Sequence, residues 1–95
     1  MTADREKALA KREEQRRELY ERVERGDIAL VDATRLMRRV AGKSQAEYAK
    51  HVGVSPRVLI DFERGVGNPT MRTLAKILEP FGLEICVRRR KRDSH

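Results

Sequence analysis

The chain has 95 residues, of which 39% are hydrophobic, so it can build one domain with a modest aliphatic core. Lysine and arginine number 22 against 15 acidic residues, and the net charge of +7 favours nucleic acid or an anionic surface as partner. The apolar runs are too short for a membrane span, the amino terminus has no apolar signal segment, and a single cysteine, Cys86, fits a reducing cytoplasm.

The first predicted element is a charged helix at residues 3–25, a tract of good helix formers with no proline or glycine before Gly26. Its eight basic and seven acidic residues nearly cancel, and three acid–base pairs stand in the favourable i,i+4 order. Apolar residues are sparse before Leu19 and form no heptads, so we expect a solvent-exposed helix. Residues 1–26 are therefore assigned to a charged arm, either a solvated tail or a surface for a partner or the DNA backbone.

Four further helices are predicted in residues 27–82, because helix-start and helix-stop signals alternate there. Ser44 and Glu47 match a capping box, and Ser55-Pro56 supplies an N-cap followed by proline at the first helical position. The predicted helices and their flanking signals occupy residues 30–41, 44–52, 55–65 and 70–82.

The middle two of these helices have the spacing of a helix-turn-helix, since only Gly53-Val54-Ser55 separates them. Ala49 is small enough for the two helices to cross closely, and Gly53 suits the turn. Leu59 and Phe62 are expected to face inward with Val54 and to fix the crossing angle.

The stretch from Ser44 to Ser55, followed by Phe62-Glu63-Arg64-Gly65 and Asn68-Pro69, resembles the XRE, or Cro/C1-type, repressors of phages and bacteria. The resemblance spans about residues 30–82 and implies a lambda-repressor-like bundle that binds DNA. It also implies that Gln45 touches a DNA phosphate and that Arg38 pairs with Glu63. The segment Leu83–Val87 is similar to the terminal strand of HipB-like and HigA-like antitoxins.

The third helix of residues 27–82 has a candidate DNA-reading face. At about 100° per residue, Arg57, Asp61 and Arg64 fall in one sector, while Leu59, Phe62 and Glu63 point away from it. An arginine in the first turn of a recognition helix suits a guanine edge in the major groove. Asp61 either accepts a hydrogen bond from a cytosine amine or pairs with Arg57. The predicted base contacts are Pro56, Arg57, Val58 and Asp61, and the predicted phosphate contacts are Lys43, Gln45, Ser55, Arg64 and Asn68.

The last predicted element is a strand at residues 83–88, because Leu83, Ile85 and Val87 alternate with polar or small residues. One short strand leaves an unpaired edge, and pairing with the same strand of a second copy about a two-fold axis would cover it. The expected fold is thus all-α, with about five helices and one strand that dimerises. The basic tail, residues 89–95, is expected to be disordered.

The sequence favours a cytoplasmic, bacterial regulator that binds double-stranded DNA at a palindromic operator as a homodimer. It contains no nucleophile with a paired base, no phosphate loop and no metal-ligand spacing, so we expect no enzyme activity, no cofactor and no metal. Three functions fit: the antitoxin of a type II toxin–antitoxin module that autoregulates its operon, a stand-alone or phage regulator without a toxin, and a protein-docking coactivator.

Overall fold

Five α-helices make up the protein, as a computed structural model shows for residues 2–90, the part of the chain that it describes. The all-helical class predicted from the sequence is confirmed. A short 3-10 turn, Glu79–Phe81, follows the last helix. The helices are α1 Thr2–Arg25, α2 Leu30–Ala41, α3 Gln45–Val52, α4 Pro56–Glu63 and α5 Met71–Leu78.

The helix ends follow from side-chain capping. The Ser44 hydroxyl accepts a hydrogen bond from the Glu47 amide at 3.1 Å, and the Glu47 carboxylate accepts one from the Ser44 amide at 2.8 Å. These bonds stabilise the carboxylate and lower the pKa of Glu47 from its ordinary value. The Ser55 and Thr70 hydroxyls cap α4 and α5 by accepting hydrogen bonds from the amides of Arg57 and Thr73, without a returning carboxylate. Gly53 ends α3 with a φ of +78°, a conformation that favours glycine.

The core lies between α2, α3, α4 and α5 and is closed on one side by α1. The Tyr48 hydroxyl donates to the Ile77 carbonyl at 2.7 Å, which ties α3 to α5. Burial raises the pKa of Tyr48 to about 12, so its hydroxyl stays protonated and able to donate. The side chains with no solvent exposure include Leu19, Met37, Tyr48, Ala49, Leu59 and Ile77.

Helix α1 was expected to be exposed to solvent, but its carboxyl-terminal third packs against the core. Leu19 has no solvent exposure, and Val23 packs against the same core cluster. The Tyr20 hydroxyl donates to the Phe81 carbonyl at 2.8 Å, and the Arg16 guanidinium lies 5.7 Å from the centre of the Phe81 ring. Three apolar or aromatic residues within five positions are enough to bury one turn, although the rest of α1 is highly charged.

The predicted strand is absent from the described part of the chain, where residues 83–90 have no regular secondary structure. A strand needs a hydrogen-bonded neighbour, and a single copy supplies none beside this segment. Leu83 and Ile85 instead line an apolar cleft together with Val23 and Ile28, at the junction of α1 and α2. Val87 is 99% exposed. Of the basic tail, residues 91–95 lie outside the described residues.

None of the helices within residues 2–90 combines the length and the apolar character that crossing a membrane requires. Histidine, cysteine, aspartate and glutamate side chains do not gather in threes or more, within that part of the chain, where they could hold a metal ion.

Candidate nucleic-acid interface

The crossing of α3 and α4 is fixed by a short turn and by apolar contacts on the inner face of α4. The Val54 amide donates to the Ala49 carbonyl at 2.9 Å, which closes the turn after Gly53. Leu59 is fully buried and Phe62 is 8% exposed, so both anchor α4 from inside. The opposite face of α4 is left for contact with a partner.

That outer face of α4 carries the residues predicted to contact DNA. Pro56, Arg57 and Arg64 are exposed, and Val58 and Asp61 are half-buried. Among residues 2–90, Arg57 and Asp61 form no salt bridge with each other or with any other residue. The alternative in which Asp61 pairs with Arg57 therefore does not occur in this structure, and both side chains are available to a ligand.

The N-cap of α4 uses only part of the hydrogen-bonding capacity of Ser55. Its hydroxyl oxygen accepts from the Arg57 amide at 3.2 Å. The hydroxyl proton remains able to donate, because a serine hydroxyl is one donor and two acceptors. Ser55 is exposed beside the first turn of α4, so it can cap the helix and donate to a phosphate oxygen at the same time.

The loop after α4 places Asn68 close to this face. Gly67 has a φ of +87°, and a Cβ added to it would lie 3.3 Å from the Asp61 Cβ. The Val66 amide donates to the Asp61 carbonyl at 2.9 Å, which holds the start of the loop against α4. Glycine at position 67 thus permits a tight turn that leaves Asn68 exposed next to the outer face.

A buried ionic network fastens α4 to the rest of the protein. The Glu63 side chain is 3% exposed and accepts two hydrogen bonds from Arg38, from Nε at 2.9 Å and from Nη2 at 3.0 Å. Gln45 Nε2 donates to Glu63 Oε1 at 3.2 Å. Arg38 Nη1 donates to the Lys43 carbonyl at 3.2 Å, and an Arg35 guanidinium nitrogen donates to the Glu63 carbonyl.

The network brings together residues for which the sequence suggested separate roles. The ion pair of Arg38 with Glu63 is present, and Gln45 joins it through one amide hydrogen. Gln45 retains its other amide hydrogen and its carbonyl oxygen, so the bond to Glu63 orients the side chain without using all its capacity. Sequence reasoning missed Arg35, which lies one turn before Arg38 on α2; that i,i+3 spacing was the available signal.

Together, the two crossed helices, the three-residue turn and the outward-facing α4 define the class of helix-turn-helix proteins. The helix-turn-helix family HTH_3 matches residues 35–87, more than half of the chain, and the protein belongs to this family. The predicted XRE resemblance is confirmed, and the protein is an XRE-type DNA-binding regulator.

A curated relative is similar over much of the same region. Antitoxin HipB of Escherichia coli (strain K12) is 33% identical over 58 residues, which cover 61% of this chain. The match spans 66% of HipB, just under two thirds of that protein's length. No solved structure matches the chain.

Proposed function

We propose that this protein is a sequence-specific transcriptional repressor that binds a palindromic operator as a homodimer and is the antitoxin of a type II toxin–antitoxin module. The observation that carries the proposal is the outer face of α4, exposed at Arg57 and fixed from behind by the buried pair of Glu63 with Arg38. The likeness to Antitoxin HipB supports the antitoxin role. A repressor of this kind works in the bacterial cytoplasm, at the nucleoid, and represses its own operon.

In this proposal α4 enters the major groove with its amino-terminal turn foremost. Arg57 donates to a guanine edge, Pro56 and Val58 make apolar contacts, and Asp61 accepts from a cytosine amine. No bond within residues 2–90 has to break first, because neither Arg57 nor Asp61 is in a salt bridge there.

Phosphate contacts flank the reading helix on both sides. Lys43 lies in the loop before α3 and Gln45 is the first residue of α3, while Arg64 and Asn68 lie at the end of α4 and in the loop beyond. Ser55 lies between the two groups. Such contacts fix the register of the protein on the duplex and carry most of the salt dependence.

The dimer is proposed through residues 83–88, which a second copy would convert into a strand. Ile85 is 39% exposed and Val87 is 99% exposed, so one copy alone leaves apolar side chains in water. Pairing with the same segment of a partner would satisfy backbone groups and cover Val87, with Leu83 and Ile85 anchored at the cleft beside α2. A two-fold dimer also matches half-sites about 34–36 Å apart.

The proposal is tested in two steps. Genomic fragments selected by the purified protein should share an inverted repeat, and Arg57→Ala should relax the preference at one base pair of each half-site. The product of a neighbouring toxin-like reading frame should then copurify with the protein and lose its toxicity on co-expression. DNA selection without a toxin would indicate a stand-alone or phage regulator, and failure to select DNA would favour a protein-docking coactivator.

A further inference from the structure

Helix α1 is twice as long as α2 and runs past its end. A common crevice is lined by Leu9, Arg12, Glu13, Arg16 and Val40, so the two helices lie antiparallel with the middle of α1 beside the last turn of α2. Arg12 Nη1 lies 2.6 Å from the position that a Cβ on Gly42 would occupy. The residues before Arg12 form about 15 Å of helix, at 1.5 Å per residue, on the side of the loop that joins α2 to α3.

The face of α1 that packs on the core is apolar near its carboxyl end and carries arginines toward its amino end. Taking about 100° per residue, the residues within about 60° of Arg12 include no acidic side chain. The face is apolar where it meets the core, at Val23 and Leu19, and basic beyond it. The residues of this face, from the carboxyl end, are Val23, Leu19, Arg16, Gln15, Arg12, Leu9, Ala8 and Arg5.

Arg12 packs beside Gly42, and although Glu13 lines the same crevice, the two side chains form no salt bridge. Within residues 2–90, Arg5 and Arg12 take part in no salt bridge, whereas Arg16 lies over the Phe81 ring. Arg12 is half-buried against Gly42, and a side chain at that position would collide with its guanidinium. The seven acidic residues of α1 lie on its other faces, so the helix is nearly neutral in sum but basic on this one face.

We infer that Arg5 and Arg12 bind phosphates of the DNA backbone outside the base pairs that α4 reads. This inference rests on the proposed function. Gly42, beside which the Arg12 guanidinium lies, directly precedes Lys43, the first of the proposed phosphate contacts. Arg5 lies about 10 Å further along the helix, which corresponds to about three base-pair steps of rise along the DNA axis at about 3.4 Å per step. The basic face of α1 therefore extends the phosphate-binding edge of the helix-turn-helix.

The test compares Arg5→Ala/Arg12→Ala with a control of equal charge change, Lys7→Ala/Arg17→Ala. The two control positions are exposed and lie about 140° around the helix from Arg12. Operator and random DNA are titrated over a series of salt concentrations. The test variant should bind both DNAs more weakly by the same factor, with a salt-dependence slope smaller by about 3.6 for the dimer, because its two subunits lose four phosphate contacts and each contributes about 0.9. The control should keep a slope close to that of the wild type.

The position of the contact is measured by ethylation interference on an operator with long flanks. Wild-type protein should show interference at phosphates outside each half-site, and the test variant should not. Equal slopes for test and control variants, with unchanged flanking interference, would overturn the inference while leaving the repressor proposal intact. A wild-type protein that binds no DNA would overturn the repressor proposal itself. Arg5→Ala alone, at an exposed position, repeats the test without disturbing the packing of Arg12.

Discussion

Removing the Glu63 carboxylate should greatly lower the free energy of unfolding of this domain. Glu63→Ala leaves Arg38 without its anion and Gln45 without its acceptor, and the Arg38 side chain is only 21% exposed. Breaking a buried ion pair from one side costs about 3–5 kcal/mol, and the partial exposure of Arg38 places this case near 3 kcal/mol. At about 4–8 °C per kcal/mol for a domain of this size, the Tm should fall by at least about 12 °C.

Two control variants separate the buried pair from a general effect of charge. Glu18→Ala removes a carboxylate from the surface pair with Arg22, whose side chains are 54% and 33% exposed, and should change stability by less than about 1 kcal/mol. The double change Arg38→Leu/Glu63→Leu removes both charges and should recover most of the loss. Thermal unfolding followed by circular dichroism measures all three. A Tm of Glu63→Ala within two degrees of the wild type would refute the reasoning, since the pair would then be solvated.

Three further predictions concern binding. Arg57→Ala should weaken the operator complex by about 1–3 kcal/mol and relax preference at one base pair per half-site in a selection assay, whereas Arg64→Ala should weaken all sequences alike. Ile85→Pro should convert the dimer to a monomer in sedimentation, because proline removes a ladder donor; an unchanged dimer would exclude the strand interface. Glu14→Arg/Glu21→Arg, on an exposed face of α1, should abolish toxin neutralisation while sparing operator binding; intact neutralisation would move the toxin contact to the basic tail.

The helix bounds were predictable because each helix end depends on residues close to it in sequence. The capping box at Ser44 and Glu47, the Ser55-Pro56 pair and Gly53 each specify their own turn, and each has the predicted geometry. The end of α5 was less well placed. Its apolar spacing continues to Phe81, but Pro80 has no amide hydrogen, and the chain tightens into a 3-10 turn after Leu78.

The network behind α4 could be predicted only in part. The pairing of Arg38 with Glu63 came from a family resemblance, since the two residues are 25 positions apart and share no local pattern. Arg35 and Gln45 reach Glu63 across 28 and 18 positions. No spacing rule connects these positions directly to Glu63, because the packing of α2 and α3 against α4 brings them together only once the whole domain has folded. The prediction of a strand was wrong for the described residues, because apolar alternation at Leu83, Ile85 and Val87 does not by itself supply a hydrogen-bonded neighbour.

Helix α1 shows why composition alone gives the wrong environment for a segment. Averaged over 24 residues, its charge hides the single turn at Leu19, Tyr20 and Val23 that enters the core. The average also conceals the face that carries Arg5, Arg12 and Arg16, because the acidic residues that balance their charge lie on other faces of the helix. What decides the environment of each residue is its angle around α1 and its position relative to the end of α2. Helix α1 contains no glycine or proline before Gly26, so it continues without a break. It is longer than α2, the helix it packs against, and its amino-terminal part therefore extends beyond the end of α2.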